Sequence, residues 1–193
     1  MRKNIAPITR RSFLAGTTAG VAAFSIVPSY VLGLNGATPP SEKLNIAGIG
    51  VGGQGGGDLQ QMTSENIVAL CDVDSKQGAR SFDDPKFSKA KRYQDFRIML
   101  DEMGKEIDAV TVGTPDHFHA VAVTRALKMG KHVFCEKPLA HSIYEVREIM
   151  KAASEHKVIT QLGNQGHSFD SIHVFREWIE DGAIGTVREV HAM

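Results

Sequence analysis

The stretch Leu44-Asn45-Ile46-Ala47-Gly48-Ile49-Gly50-Val51-Gly52-Gly53-Gln54-Gly55-Gly56-Gly57 decides the fold of this chain. A short apolar run, typical of a buried strand, ends in glycines, and a helix or loop must follow it. Gly48, Gly50 and Gly53 match the pattern G-x-G-x-x-G directly after this strand. In that pattern the first glycine makes a tight turn, the second lets the backbone approach a pyrophosphate, and the third brings helix and strand together. We therefore predict a dinucleotide-binding loop at a helix N-terminus, made by Gly48, Gly50, Val51, Gly52 and Gly53.

Asp72 distinguishes this loop from an unstructured glycine-rich segment. It follows a second apolar run, residues 67–71, and lies 19 residues after Gly53. An acidic side chain near that position hydrogen-bonds the ribose 2′-hydroxyl of NAD. The alternative is a solvated aspartate at the end of a strand. We interpret the two strands and the glycine loop as a βαβ unit that binds NAD.

The rest of the sequence alternates predicted strands with predicted helices. Further strands are predicted at residues 91–93, 108–112, 132–135 and 158–161. This alternation favours a doubly wound parallel sheet, the Rossmann α/β fold. The 193 residues are 42% apolar and 23% charged, as in ordinary globular proteins. The formal net charge is zero, and no basic face suggests a nucleic-acid partner.

Residues 1–33 are predicted to be a targeting signal outside the fold. Thr9-Arg10-Arg11-Ser12-Phe13-Leu14 resembles the twin-arginine export motif, and the weakly apolar stretch after it is too short for a membrane span. We expect the twin-arginine translocase to export the folded protein to the periplasm or out of the cell. The segment is then either cleaved near Gly33 or retained as an anchor. The alternative is a plain apolar N-terminal helix.

Lys137 is the candidate catalytic group, in Cys135-Glu136-Lys137-Pro138 at the end of the fifth predicted strand. Ligands of open α/β sheets bind outside the carboxyl ends of the strands, which places Lys137 beside a nicotinamide. A lysine there could donate a hydrogen bond to a substrate oxygen or take the proton of a substrate hydroxyl. The alternative is a solvated lysine at a loop tip, and this motif alone does not decide between them.

The joint order of these motifs resembles the glucose–fructose oxidoreductase, inositol dehydrogenase and rhizopine-catabolism (Gfo/Idh/MocA) family. The matching segments are Gly48-Ile49-Gly50-Val51-Gly52-Gly53, Asp72, Thr114-Pro115-Asp116-His117-Phe118-His119, Glu136-Lys137-Pro138 and Gly163-Asn164-Gln165. The resemblance implies a Rossmann domain followed by an α+β domain on a large, mostly antiparallel sheet, through which the full-length protein would form a homo-oligomer. It also implies that Lys137 is the substrate-orienting acid/base. The residues that it places at the cofactor cleft are Thr114, Pro115, His119, Glu136, Asn164 and Gln165.

The predicted domain organisation follows from these assignments. We expect the twin-arginine segment at residues 1–33, a linker at 34–43, the Rossmann domain at 44–163, and the start of the α+β domain at 164–193. In that last part we predict an amphipathic helix, with Ile172, Phe175 and Ile179 facing inward, and a half-exposed strand over residues 187–193. Proteins of the resembling family carry a second catalytic Asp and His further along the chain. We therefore expect a truncated chain that holds the cofactor half and lacks the substrate half.

The histidines and cysteines predict neither a metal site nor a disulfide. His117 and His119 are two residues apart at a helix start, so their side chains diverge by about 200°. Cys71 and Cys135 end the second and fifth strands, which are not neighbours in a 3-2-1-4-5-6 sheet and are too far apart to be bridged. We expect two buried thiols and no metal.

The leading hypothesis is an NAD-dependent oxidoreductase that transfers hydride between nicotinamide and a hydroxyl or carbonyl carbon of a sugar or polyol. One alternative is a glycosidase that keeps NAD bound and oxidises its sugar only transiently. Another is a non-catalytic dinucleotide-binding sensor or scaffold, which would not need Lys137. Net accumulation of NADH separates the dehydrogenase from the glycosidase.

Overall fold

A computed structural model describes residues 38–191 of the chain. The predicted twin-arginine segment and the first part of the predicted linker lie outside the described residues. Ahead of the first strand, the described chain forms the 3₁₀ turn Pro40–Glu42.

A parallel sheet of six strands organises residues 45–163, in the spatial order β3-β2-β1-β4-β5-β6. The strands are β1 (Asn45–Ile49), β2 (Asn66–Cys71), β3 (Lys91–Tyr93), β4 (Ala109–Val112), β5 (His132–Glu136) and β6 (Thr160–Gly163). This sheet confirms the predicted Rossmann fold and its strand order. The order reverses between β1 and β4, and open α/β sheets bind their ligands at such a crevice.

Helices connect the strands and extend beyond the last one. They are α1 (Gly53–Gln61), α2 (Ala79–Phe82), α3 (Phe96–Met103), α4 (His119–Lys128), α5 (Ile143–His156) and α6 (Asp170–Glu180). Short 3₁₀ turns lie at Pro85–Phe87, Asp116–Phe118 and Gln165–Ser168. Within residues 38–191, none of the helices has the length and apolar character that a bilayer span requires.

The core has two layers because successive side chains of a strand point to opposite faces of the sheet. Ala47 and Ala69 belong to one layer, which packs against α3 and α4. Ile46 and Leu70 belong to the other, which packs against α1, α2 and the turn at Pro85–Phe87. Burial on both faces explains why β1, β2 and β4 are almost continuously apolar, as is usual for parallel sheets. The sheet is therefore a rigid base for the loops at its carboxyl edge.

Residues 164–191 differ from the sequence-based expectation. The helix α6 forms, but its predicted inward face is open: Ile172 is 46% exposed and Phe175 is 59% exposed. The predicted strand at the end of the chain is wrong for residues 187–191, which have irregular backbone. A strand is stabilised by hydrogen bonds to a neighbouring strand, and none pairs with this segment among the described residues.

Candidate cofactor-binding site

A cleft of about 800 Å³ lies at the carboxyl ends of β1, β2 and β4. The glycine loop forms one wall, and the segment that links β4 to α4 forms another. Six of the residues predicted to bind the cofactor line it: Gly50, Gly52, Gly53, Asp72, Thr114 and Pro115. The cleft therefore lies where the strand order reverses, and residues of the predicted glycine loop line it.

The glycine loop makes its tight turn at Gly50, two residues later than expected. Gly50 has a φ of +75°, and a Cβ atom built there would lie 2.7 Å from the Thr114 nitrogen. Gly48 instead lies inside β1, where an added Cβ would lie 2.7 Å from a terminal carbon of Leu59. A side chain at the turn would therefore collide with backbone, which is why glycine is required at Gly50.

The close contact between the helix and the strand is made by Gly55. A Cβ atom on Gly55 would lie 2.0 Å from the Gly50 carbonyl oxygen, whereas one on Gly53 would meet nothing within 4 Å. Gly52 lies between them as the N-cap of α1. The three structural roles of the G-x-G-x-x-G pattern thus fall on Gly50, Gly52 and Gly55, and their assignment to Gly48, Gly50 and Gly53 was wrong. Cofactor binding by each of these glycines stays a prediction.

Asp72 is held at the base of the glycine loop. Its Oδ2 accepts hydrogen bonds from the backbone N–H groups of Val51, at 3.0 Å, and Gly52, at 3.1 Å. Its Oδ1 accepts a third hydrogen bond from the Asp74 N–H at 3.0 Å. The side chain of Val51 is buried, so Val51 contributes to the site through its backbone. These bonds fix a negative charge beside the loop, where the ribose of a dinucleotide would be recognised.

Two features of the cleft have hydrogen-bonding capacity that the described protein does not use. The hydroxyl of Thr114 is buried and has no partner in residues 38–191. Among residues 38–191, no side chain caps the N-terminus of α1 at Gly52, so the first N–H groups of the helix are available to an anion. A pyrophosphate at this helix end and a polar group of the cofactor at Thr114 would use both, and a ribose would bind at Asp72. The residues present therefore fit NAD.

His119 joins the loops that follow β4 and β5. It is 1% exposed, and its Nδ1 and Nε2 lie 2.6 Å and 2.7 Å from the carbonyl oxygens of Pro138 and Thr114. His119 does not line the cleft, and its predicted part in cofactor binding stays a prediction. The loop that carries Lys137 is thus tied to a loop that lines the cleft.

The remaining predicted residues lie around the end of β5. Glu136 is buried, and its Oε1 accepts a hydrogen bond from Nε2 of Gln165. Lys137 and Asn164 are exposed and do not line the cleft. The fold thus brings Glu136 and Gln165 into contact, and it leaves Lys137 and Asn164 exposed at the carboxyl edge of the sheet. The functional roles of these four residues stay predictions.

Asp95 and Arg97 also line the cleft, and the sequence interpretation missed them. The Arg97 guanidinium donates to Asp95, with Nη2 2.6 Å from Oδ2 and Nε 3.0 Å from Oδ1. These hydrogen bonds lower the pKa of Asp95 to about 2. Asp95 caps α3 directly after β3. Because ligands bind beyond the carboxyl ends of parallel strands, the same rule applied to β3 would have identified this pair.

The two cysteines are buried free thiols, as predicted. Burial raises the pKa of Cys71 and of Cys135 to about 12, and neighbouring carboxylates add to the effect. Across residues 38–191, no three His, Cys, Asp or Glu side chains lie together in a way that could hold a metal ion.

Known proteins resemble up to about three quarters of this chain. It is 30% identical over 152 residues to an inositol 2-dehydrogenase of Rubrobacter xylanophilus, covering 75% of this chain and 42% of the relative. It is 35% identical over 88 residues to a 2,7-anhydro-N-acetylneuraminate hydratase of Mediterraneibacter gnavus, covering 46% of this chain and 24% of the relative. The structure of scyllo-inositol dehydrogenase from Lactobacillus casei with bound NAD(H) and scyllo-inositol matches with a TM-score of 0.63 at 25% identity, covering 75% and 43%. The chain therefore spans less than half the length of these relatives.

The family comparison covers the segment that builds the cleft. The sequence model of the GFO_IDH_MocA family, described as an oxidoreductase family with an NAD-binding Rossmann fold, matches residues 43–164. That match spans more than half of the chain and includes the glycine loop, Asp72, Thr114 and Lys137. The chain therefore belongs to the Gfo/Idh/MocA family of NAD-binding oxidoreductases.

Proposed function

We propose that the full-length protein is an NAD-dependent dehydrogenase of a polyol or sugar, with Lys137 as the group that orients the substrate and moves its proton. Bound NAD supplies the hydride acceptor or, when reduced, the hydride donor. Two relatives, from Rubrobacter xylanophilus and Lactobacillus casei, carry the name of inositol dehydrogenases. Their names support a polyhydroxylated substrate for this chain.

The proposal rests on the hydrogen bonds that connect the loop carrying Lys137 to the cleft. His119 bonds Pro138, which follows Lys137, and it also bonds Thr114, which lines the cleft. The lysine is therefore held at the same sheet edge as the glycine loop and Asp72. An ammonium group at this edge could donate to a substrate oxygen, and its neutral form could accept the hydroxyl proton.

The roles of the other residues follow from their positions. The N-terminus of α1 would bind the pyrophosphate, and Asp72 would accept hydrogen bonds from the adenosine ribose. The Thr114 hydroxyl would find the partner that it lacks within residues 38–191. These groups bind and orient the cofactor, whereas Lys137 handles the substrate proton.

The proposal is tested by steady-state assays of the full-length protein with NAD and a panel of inositols, other polyols and aldoses. The expected result is net NADH formation with at least one polyol, dependent on both substrates. Tight NAD binding without turnover on any member of the panel would contradict the dehydrogenase and favour a sensor or scaffold.

A second candidate reaction leaves no net NADH. The relative from Mediterraneibacter gnavus is named a hydratase and not a dehydrogenase. A glycosidase or hydratase that oxidises its sugar transiently would also use Lys137 as an acid/base. The same assays distinguish it, because a new sugar product would form while the absorbance of NADH stays constant.

We also propose that the protein is exported by the twin-arginine route. The support is the sequence Thr9-Arg10-Arg11-Ser12-Phe13-Leu14 and the absence of acidic residues among the first 33. This route carries folded proteins, so NAD would be bound before export.

A further inference from the structure

Two buried carboxyl groups lie against each other beneath the cleft. Asp58, on α1, is 7% exposed, and Glu136, the last residue of β5, is 6% exposed. The two side chains are close enough for their carboxyl groups to interact by charge, and by a hydrogen bond when one of them carries a proton. The contact therefore links the helix of the glycine loop to the strand end that precedes Lys137.

An amide side chain serves each carboxyl from outside the pair. Gln54, one turn before Asp58 and itself lining the cleft, donates from Nε2 to Asp58 Oδ1 at 3.0 Å. Gln165 donates to Glu136 Oε1. The Oδ2 atom of Asp58 is buried and receives no hydrogen bond from any donor in the described chain. An ionised carboxylate would leave that oxygen without the donors that a buried anion requires.

One shared proton accounts for this arrangement. Two carboxylates in contact and out of water cannot both be ionised without a large electrostatic cost. A protonated Asp58 instead has an O–H group that donates to Glu136, and its Oδ2 no longer needs a donor. Burial raises the pKa of Asp58 to about 6; the hydrogen bond from Gln54 opposes this shift, and the charge and hydrogen bond of Glu136 add to it. The groups that act on Asp58 are Gln54, Glu136 and Gln165, none of which is a cation.

We propose that Asp58 and Glu136 share a single proton, and that this acid pair is a positioning device that fastens the end of β5 to α1. Asp58 is then a positioning residue that acts on Lys137 through Glu136, a consequence that rests on the proposed function. Loss of the proton leaves two buried anions in contact, and their repulsion loosens the strand end that carries the lysine.

The sign of the pH dependence follows from the raised pKa. The protonated form is favoured in the folded protein, so the stability that it contributes is complete below about pH 4 and is lost as the pH rises through about 6. The variant Asp58→Asn has the same shape, is neutral at every pH, and keeps an N–H donor for Glu136. It should therefore retain the link where the wild type loses it.

The experiment compares the full-length wild type with Asp58→Asn and with Asp181→Asn, a control at an exposed position after α6. Carboxyl ¹³C NMR of the wild type should show the Asp58 carboxyl titrating near pH 6. We compare the kcat of Asp58→Asn with that of the wild type as a ratio. This ratio should rise several-fold as the pH increases from 5 to 8, while the KM for NAD stays constant. The same ratio for Asp181→Asn should stay flat.

Three outcomes would overturn the inference. An Asp58 carboxyl that titrates at its ordinary acidic value would exclude the shared proton. Parallel pH profiles of kcat for the wild type and Asp58→Asn would exclude the positioning role. Thermal melting that shows no difference in pH dependence between these two proteins would exclude the stabilising link. The NMR and melting experiments need no turnover, so they decide on the pair even if the dehydrogenase proposal fails.

Discussion

Gly55 packs so closely against Gly50 that a Cβ atom on Gly55 would lie 2.0 Å from the Gly50 carbonyl oxygen. This contact allows α1 to start directly above the end of β1, and its N-terminus is thereby brought to the cleft. Gly57 lies two residues further along α1, and a Cβ atom added there would have no atom within 4 Å. The same helix therefore offers a position where alanine cannot fit and one where it can.

Gly55→Ala should destabilise the protein by about 1–3 kcal/mol or more, because the backbone of the glycine loop must move to admit the methyl group. Gly57→Ala should be neutral or stabilise it by up to about 1 kcal/mol, because alanine favours a helix over glycine. Chemical denaturation of the two variants measures the difference. Equal stabilities would mean that Gly55 does not make the helix–strand contact.

The glycine loop shows why a motif can be recognised while its register is missed. Both Gly48-Gly50-Gly53 and Gly50-Gly52-Gly55 satisfy G-x-G-x-x-G, and glycine has no side chain whose periodicity could choose between them. The length of β1, which ends at Ile49, decides the register. That end depends on tertiary pairing with β2 and β4, which local sequence does not specify.

Cys71 and Cys135 should be unreactive toward thiol reagents in the native protein at neutral pH. Their raised pKa values, about 12 for each, keep both thiols protonated, and the reactive form of cysteine is the thiolate. A colorimetric thiol titration should detect neither group in the native protein and both after denaturation. Rapid labelling of one thiol without unfolding would show that it is accessible and ionised.

The wild type should bind NAD at least about tenfold more tightly than NADP, a difference of about 1.4 kcal/mol. The 2′-phosphate of NADP would approach the Asp72 carboxylate, which two backbone bonds from the loop hold in place. Asp72→Asn removes the charge and should narrow the preference. Asp83→Asn, an exposed control whose side chain is 76% exposed, should leave it unchanged. Equal or tighter binding of NADP by the wild type would contradict the assignment.

The sequence predicted the sheet and its order, because apolar runs mark the central strands β1, β2 and β4 and predicted helices separate the strands along the chain. Asp72 could be located from the sequence because it directly follows the apolar run of β2. The sequence did not identify Asp58, since an acidic residue four positions after Gln54 looks like a solvated helix residue until the packing of α1 is known. Residues 187–191 alternate like a strand but have no partner among the described residues. Contacts between segments that are distant in sequence decide whether such a residue is buried or such a segment forms a strand, and local patterns do not show them.

Replacement of Arg10 and Arg11 by lysine should retain the protein in the cytoplasm, if the proposed export signal operates. The folded domain should be unaffected because the family match begins at residue 43. Cell fractionation with detection of the protein measures this. Normal export of the double variant would show that another signal is used.

Lys137→Met in the full-length protein should lower kcat by about 10²–10⁴-fold, the usual contribution of a general acid/base. Methionine keeps the apolar stem but has no group to donate or accept the substrate proton. The Kd for NAD should change little, because Lys137 does not line the cleft that holds the glycine loop and Asp72. Lys105→Met is the matched control: that lysine is exposed ahead of β4, at the opposite edge of the sheet, and its loss should alter neither constant. If Lys137→Met kept the wild-type kcat, the proton would have to be moved by another group, and the assignment of the lysine would be wrong.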